Sequence, residues 1–435
     1  MASEHWDIKE LKDLLTEKGY IRGPFGSALR RPELQSEGIP VYEQQNAIYD
    51  HRIFRFFIDK EKYEKLKRFT VRENDLIISC SGTFGKVSII KKGDPIGIIS
   101  QALLILRPDT HKVYPDFLKY FFTSKQGYNA IASRSIGSVQ VNIAKREIIE
   151  KIEIEVPPLS EQQYIAKILS NLDDKIKINQ QMNKTLEDIG QTFFKHWFID
   201  FEFPNENGEP YKSNGGEMVY SEELNKEIPM GWEIGKLKDV TSLIRDGTHN
   251  PPQRIKQGIP LITGNNVISG FVRHNNITYI SQEDYIKIHK RYTPERGDVL
   301  ITKIGTLGKV GIIREIDLPI AIHCNVALVR PNYQIMTGIY LYWLFKSNYF
   351  LSQFHLKKKQ TVQEFINLKQ IGDLDILIPP KKVILSFEKM VQNSFDKMSI
   401  LNVQSNTLSQ IRDILLPKLM SGKIRVKIST ENGEQ

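Results

Sequence analysis

Two glycine–lysine turns are the segments of this 435-residue chain that most invite a chemical reading, GTFGKV at 82–87 and GTLGKV at 305–310. Glycine-rich turns cradle phosphate when their backbone N–H groups converge, and a nucleotide-binding loop needs Gly-x-x-x-x-Gly-Lys-Ser/Thr. Neither copy satisfies that pattern. Cys80 and Lys303 stand where the first glycine belongs, and Val87 and Val310 follow the lysines. Both segments read as tight turns between strands. The chemistry they retain is that of Thr83, Lys86, Thr306 and Lys309, which can contact a nucleic-acid backbone.

Asn250-Pro251-Pro252-Gln253 imitates the Asn-Pro-Pro-aromatic loop that holds a flipped base in amino-group DNA methyltransferases. Gln253 replaces the stacking aromatic, and no GxGxxG cofactor turn occurs anywhere. Methyl transfer by this chain is therefore not expected. His249 is a lone histidine on a turn, better suited to hydrogen bonding than to general-base work. The two cysteines, Cys80 and Cys324, have no metal-ligand spacing and build no disulfide framework, which fits a reducing, cytoplasmic setting. No nucleophile–base pair or carboxylate cluster recurs in both halves, so neither catalysis nor a bound metal is expected. The N-terminal stretch has no signal-peptide core, and no apolar run reaches the ~18 residues of a membrane span. A net charge of +9 and a pI near 9.1 favour an anionic partner, with nucleic acid foremost.

The doubled turn belongs to a longer repeat. KRFTVRENDLIISCSGTFGKVSII (67–90) aligns with KRYTPERGDVLITKIGTLGKVGII (290–313), and the register continues to LRP (106–108) and VRP (329–331). WDIKELKD (6–13) answers WEIGKLKD (232–239), and IEKIEIEVPP (149–158) answers IGDLDILIPP (371–380). These marks divide the chain into a domain at 1–156, a helix at 157–200, a polar glycine-rich linker or surface loop at 201–228, a second domain at 229–378, a second helix at 379–425 and a tail at 426–435. Each domain reads as α+β with a small curved sheet. VYPDFLKYFFTSKQGYNAIAS (113–133) reads as one helix, and the alternating IEKIEIEVPP as a closing strand.

After Pro158, Ser160 and Gln163 have the spacing of a capping box. Ile165, Leu172, Asn179, Leu186 and Phe193 follow at seven-residue intervals, flanked by rows through Ile168, Met182 and Ile189 and through Leu169, Ile176 and Trp197. Such a stripe predicts a helix of ~38 residues, on the order of 57 Å long. Phe387, Leu401, Leu408 and Leu415 form the matching seam, with Pro417 expected to end or kink that helix. Two striped helices must bury their stripes, most simply on each other, within one chain or between chains. Asn179 is a polar residue in the seam, either a device that fixes register at some cost in stability or a seam position that tolerates solvent.

Scaffold residues repeat while polar loops diverge. RGPFGSALRRPELQSEG (22–38) faces RDGTHNPPQRIKQG (245–258), and YEQQNA (42–47) faces ITGNNV (262–267). One frame with two sets of polar loops fits a framework reading two different things. Candidate DNA contacts are Arg22, Arg30, Arg31, Gln44, Asn46, Ser138 and Gln140 in the first copy. In the second they are Arg245, Thr248, His249, Asn250, Arg254, Asn265, Asn266, Gln360 and Gln363. Lys357 and Lys358 join Lys86 and Lys309 as phosphate candidates.

The tandem domains, the PPLSEQQ start of a long helix (157–163), the second helix, the GTxGKV turns and PMGWE (229–233) together resemble the specificity subunits of type I restriction–modification systems. PPKKVIL (379–385) departs from the pattern by lacking SEQQ. The resemblance implies two target-recognition domains, each reading half of a split site in double-stranded DNA. It implies an antiparallel helix pair that separates the domains, spaces the half-sites and docks two adenine-N6 methyltransferase subunits. It further implies restriction–translocation subunits, no membrane, no catalysis by this chain, and S-adenosylmethionine, ATP and Mg bound only by partners. A type II enzyme cutting on both sides of its site would use the same architecture. A protein-binding coiled-coil scaffold would explain the helices but not the basic charge or the divergent polar loops.

Overall fold

The structure is a computed structural model that describes residues 6–25, 28–133, 142–250, 252–268, 270–274, 277–290, 292–357 and 364–426. It forms two compact units: 1–174 with 408–435, and 175–407. Each unit contains one repeat and a part of each long helix. Among the described residues, no helix is long and apolar enough to cross a membrane.

In the first unit, four strands lie in the order Leu15–Arg22, Leu103–Pro108, Leu76–Ser79, Val87–Ile89. A second sheet orders Phe57–Ile58, Ile39–Tyr42 and Ile98–Ile99. The second unit repeats both, extending the larger sheet to six strands: Thr241–Asp246, Val326–Pro331, Val299–Thr302, Val310–Ile312, Gly270–Val272 and Val267–Ile268. The registers coincide. Leu76 pairs with Leu106 as Val299 pairs with Val329. Leu76, Ile77 and Ile78 are all buried, so this run of consecutive apolar residues is a strand covered on both faces. The Trp-containing segments and the closing strands pair apart from these sheets, Asp7–Glu10 with Glu153–Val156 and Glu233–Lys236 with Asp375–Ile378. The α+β expectation therefore holds in both halves.

A buried ion pair recurs at the same register, and the sequence reading did not identify it. Arg107 Nε donates to Asp75 Oδ1 at 2.7 Å, and Arg330 Nε donates to Asp298 Oδ1 at 2.7 Å. Each arginine also donates to a backbone carbonyl, that of Thr70 or Thr293, and so clamps the segment before the central strand. Burial pushes both aspartates up, and the guanidinium opposes it.

The two long helices span Leu159–Phe198 and Lys381–Met420. In the first unit Arg412 donates to Asp173 at 2.8 Å, and in the second Asn179 donates to Gln404 at 2.8 Å. Partner numbers fall as helix numbers rise, so the pairing is antiparallel and lies within one chain. Ile165, Asn179, Phe387 and Leu401 are buried in the seam, and Leu172, Leu186, Leu408 and Leu415 are half-buried along it. Phe193 is not in it: its side chain is 39% exposed, and Phe194, at 1%, takes its place. An α-helix drifts about 20° per heptad from a strict seven-residue repeat, which over four heptads moves the buried face by one residue.

Other local expectations are corrected. Ser160 lies inside the first turn of its helix, so it is not the cap. Gln162 instead ties the start of the helix to its surroundings, donating to the Pro157 carbonyl at 2.9 Å and accepting Tyr114 N–H at 2.7 Å. Pro417 does not end the helix: it lies inside the last turn, which continues to Met420. The expected single helix at 113–133 is two, Pro115–Thr123 and Lys125–Ile131, because the Ser124 hydroxyl caps the second by accepting Gly127 N–H. Ser347 does the same between Gly338–Lys346 and Asn348–Leu356. Residues 201–228 are not a linker. Phe201 and Phe203 pack on Trp232, and Met218–Ser221 pairs with Lys226–Pro229. The polar, glycine-rich composition concealed these few apolar anchors.

Candidate nucleic-acid interface

The repeated GTxGKV segments fold as identical turns fixed by a hydroxyl. Ser79 Oγ donates to the Thr83 carbonyl at 2.7 Å and accepts Lys86 N–H at 2.9 Å. Thr302 Oγ1 makes the same two bonds to Thr306 and Lys309, at 2.6 and 2.9 Å. Gly82, Gly85, Gly305 and Gly308 all have positive φ, which explains why both glycines recur. The turn leaves Thr83, Lys86 and Thr306 exposed and Lys309 half-exposed.

The other variable loops meet this turn at one end of the sheets. In the first unit Gly23 N–H donates to the Leu103 carbonyl, Ser100 N–H to Tyr42, and Cys80 N–H to Ala102. A Cβ on Gly23 would lie 2.0 Å from the Ser100 oxygen, so only glycine allows this approach. Arg22 lies over the ring of Phe25 at 5.7 Å, and Phe25 is 63% exposed. Among the described residues, one terminal nitrogen of Arg22 and the amide nitrogen of Gln44 are buried without a hydrogen-bond partner. Arg30 and Arg31 are exposed at a short turn in which Arg30 N–H donates to Glu33 at 2.6 Å. Burial raises the Cys80 thiol to about 12, leaving it an inert core group.

In the second unit Thr248 N–H donates to the Ile322 carbonyl, His323 N–H to Ile262, and Lys303 N–H to Asn325. Arg245, His249, Asn250, Arg254 and Asn265 are exposed, and Thr248 is half-buried with its hydroxyl on the Asn250 carbonyl at 2.7 Å. His249 Nε2 lies 3.2 Å from Asp246, and the buried Lys303 ammonium lies 3.0 Å from the same carboxylate. Strand register matches Arg22 to Asp246, and the repeat matches Cys80 to Lys303. The first unit thus brings a half-buried cation, Arg22, to this end on the edge strand, and the second brings a buried one, Lys303, just after the central strand.

Two candidates are corrected. Asn46 is 0% exposed, and its amide is consumed by Glu43 N–H and the His51 and Ile53 carbonyls. Asn266 is buried likewise, bonded to Thr263 N–H and the Arg273 carbonyl. Both hold a loop in shape and present nothing to a base edge. Lys357 is exposed at the end of Asn348–Leu356. Ser138, Gln140, Lys358, Gln360 and Gln363 lie outside the described residues.

The sequence reading passed over the turns Ser100-Gln101-Ala102 and His323-Cys324-Asn325, which lie at this same end. Their signal was present, since they are polar and unlike each other between matched apolar strands. Among the described residues, no group of three or more His, Cys, Asp or Glu could hold a metal.

Comparison with known proteins assigns the frame. The family model described as type I restriction modification DNA specificity domain matches residues 3–188 and 229–398, covering both repeats. The MjaIX specificity subunit of Methanocaldococcus jannaschii is 26% identical, over 97% of this chain and 94% of its own. The HindI specificity subunit of Haemophilus influenzae is 24% identical, over 75% and 81%. In fold the chain is similar to the crystal structure of a type I restriction–modification S subunit from M. genitalium. The TM-score is 0.54 at 16% identity, with 96% and 97% of the two chains covered. Matched across both of its repeats, the chain belongs to the type I restriction–modification DNA specificity family.

Proposed function

We propose that this chain is the noncatalytic specificity subunit of a type I restriction–modification complex, and that each unit reads one half of a split, asymmetric duplex site. The observation that carries this reading is one frame holding two different polar ends. The registers, GTxGKV turns and Asp–Arg pairs repeat, while Arg22 to Gln44 and Arg245 to Asn265 do not. Phosphate contacts fix register, and base edges read by Arg, Gln, Asn and His supply sequence. Lys86, Lys309, Arg30 and Arg31 suit the first task.

The long helices set the distance between half-sites and dock two copies of an adenine-N6 methyltransferase subunit. Support for two equal docking faces comes from exposed apolar residues at repeat-related positions, Ile178 with Ile400 and Ile189 with Ile411. Isolated exposed isoleucines are ordinary; the same ones in both copies point to one partner bound twice. Restriction–translocation subunits complete the assembly, which acts on DNA in the cytoplasm. S-adenosylmethionine, ATP and Mg are used by the partner subunits.

Exchanging residues 22–48 for those of another family member, in the assembled complex, tests the reading. One half-site should change and the other persist, with log affinity falling linearly in log salt. Loss of both half-sites together would contradict independent reading.

A further inference from the structure

One element at the candidate interface is held alike in both units yet differs in every side chain. It is the turn that feeds the strands Leu103–Pro108 and Val326–Pro331. Leu103 N–H donates to the Ser100 carbonyl at 3.1 Å, and Val326 N–H to the His323 carbonyl at 3.0 Å. The strands before and after it are apolar except for Arg107 and Arg330, and they are in matched register. Between them one copy writes Ser-Gln-Ala and the other His-Cys-Asn.

The backbone of this turn is fixed from two sides in the first unit, by Tyr42 and Cys80, and from three in the second, by Ile262, Thr248 and Lys303. It therefore presents its side chains from a rigid base, beside the loops that carry Arg22, Gln44, Thr248 and Asn265. Gln101 is exposed, and its side chain makes no hydrogen bond among the described residues. The His323 ring is oriented through Nδ1, which lies 3.1 Å from Asn325 Oδ1. Asn325 Oδ1 is held in turn by Gly264 N–H at 3.3 Å, and Nε2 makes no hydrogen bond among the described residues.

We propose that this turn is a specificity-determining element in each half, with Gln101 and His323 as base-reading groups. The inference rests on the proposed DNA-reading role of the two loop ends. A free glutamine amide supplies the paired donor and acceptor that match the major-groove edge of adenine. An oriented imidazole nitrogen supplies one donor or acceptor, according to its tautomer.

The test is base-resolution methylation sequencing of a random-sequence DNA library treated with the assembled complex carrying wild type, Gln101→Ala, His323→Ala or His323→Asn. Gln101→Ala should change base preference at one half-site by at least about 5-fold and leave the other unchanged. The His323 variants should do the converse. Half-site profiles within about twofold of wild type in all variants, or both residues acting on the same half-site, would overturn the proposal. If the wild type itself yields no split motif, the DNA-reading role fails, and this proposal with it.

A second measurement requires no substitution. Cys324 lies within the turn and is half-exposed, whereas Cys80 is buried. A duplex carrying the wild-type motif should slow maleimide labelling of Cys324 at least about 5-fold relative to an unrelated duplex at equal salt. Equal rates would place the turn away from DNA and overturn the proposal.

Discussion

Asn179 on the first long helix donates its amide to Gln404 on the second at 2.8 Å, from a position that is fully buried. Among the described residues its carbonyl oxygen has no partner, and the same is true of Asn183 one turn later. A buried unpaired acceptor costs about 1–3 kcal/mol, so this part of the seam sacrifices stability for a specific pairing. Asn179→Leu should therefore raise stability by about 1–2 kcal/mol in denaturant titration while loosening helix register. A loss of stability would show that the amide bond outweighs the orphaned oxygen.

The repeated ion pairs make a paired prediction. Arg107→Ala strands the Asp75 carboxylate in the first unit, and Arg330→Ala strands Asp298 in the second. Each substitution should destabilise by about 3–5 kcal/mol, because a buried charge loses its partner. Thermal and denaturant unfolding of the two variants checks this, and losses below about 1 kcal/mol would show that water substitutes for the guanidinium.

His289 gives the second unit a pH dependence. It is buried between Tyr285 and Tyr292, with ring centroids 5.0 and 5.1 Å away, and burial lowers its pKa to about 4. The unfolded chain takes up this proton near pH 6.5, the folded chain only near pH 4. Stability from this group is complete above pH 6.5 and falls as pH drops through 4, by as much as about 3 kcal/mol. His289→Phe should flatten unfolding profiles measured between pH 7 and pH 4; an unchanged slope would assign the dependence to other groups.

Much of this organisation was legible in the sequence. The repeat, the α+β class and both long helices followed from offsets and periodicity, because strand and helix patterning obeys local rules. Phe193 was misplaced because a seven-residue count ignores helical drift, and residues 201–228 because average composition hides single anchors such as Phe203. Asn46 and Asn266 look like reading groups in a sequence and prove to be loop braces. The side chain that caps a turn and the side chain that meets a base are chemically the same, and only burial separates them. Gln101 and His323 were missed for the opposite reason, since they lie inside apolar runs that read as uninterrupted strand.

The spacer role of the helices is tested by length. Four residues added after Lys177 with four added after Asn406 keep the antiparallel pairing and lengthen the pair by about 6 Å. The gap between half-sites should grow by about one to two base pairs with both half-sites intact. An altered half-site would contradict a purely geometric spacer.

The most direct test of two-domain DNA recognition is base-resolution methylation sequencing of cells that express the partner subunits, with and without this chain. The account predicts adenine methylation at one split, asymmetric motif that vanishes when the chain is removed. Methylation that is the same in both cells, with all subunits expressed and assembled, would contradict it.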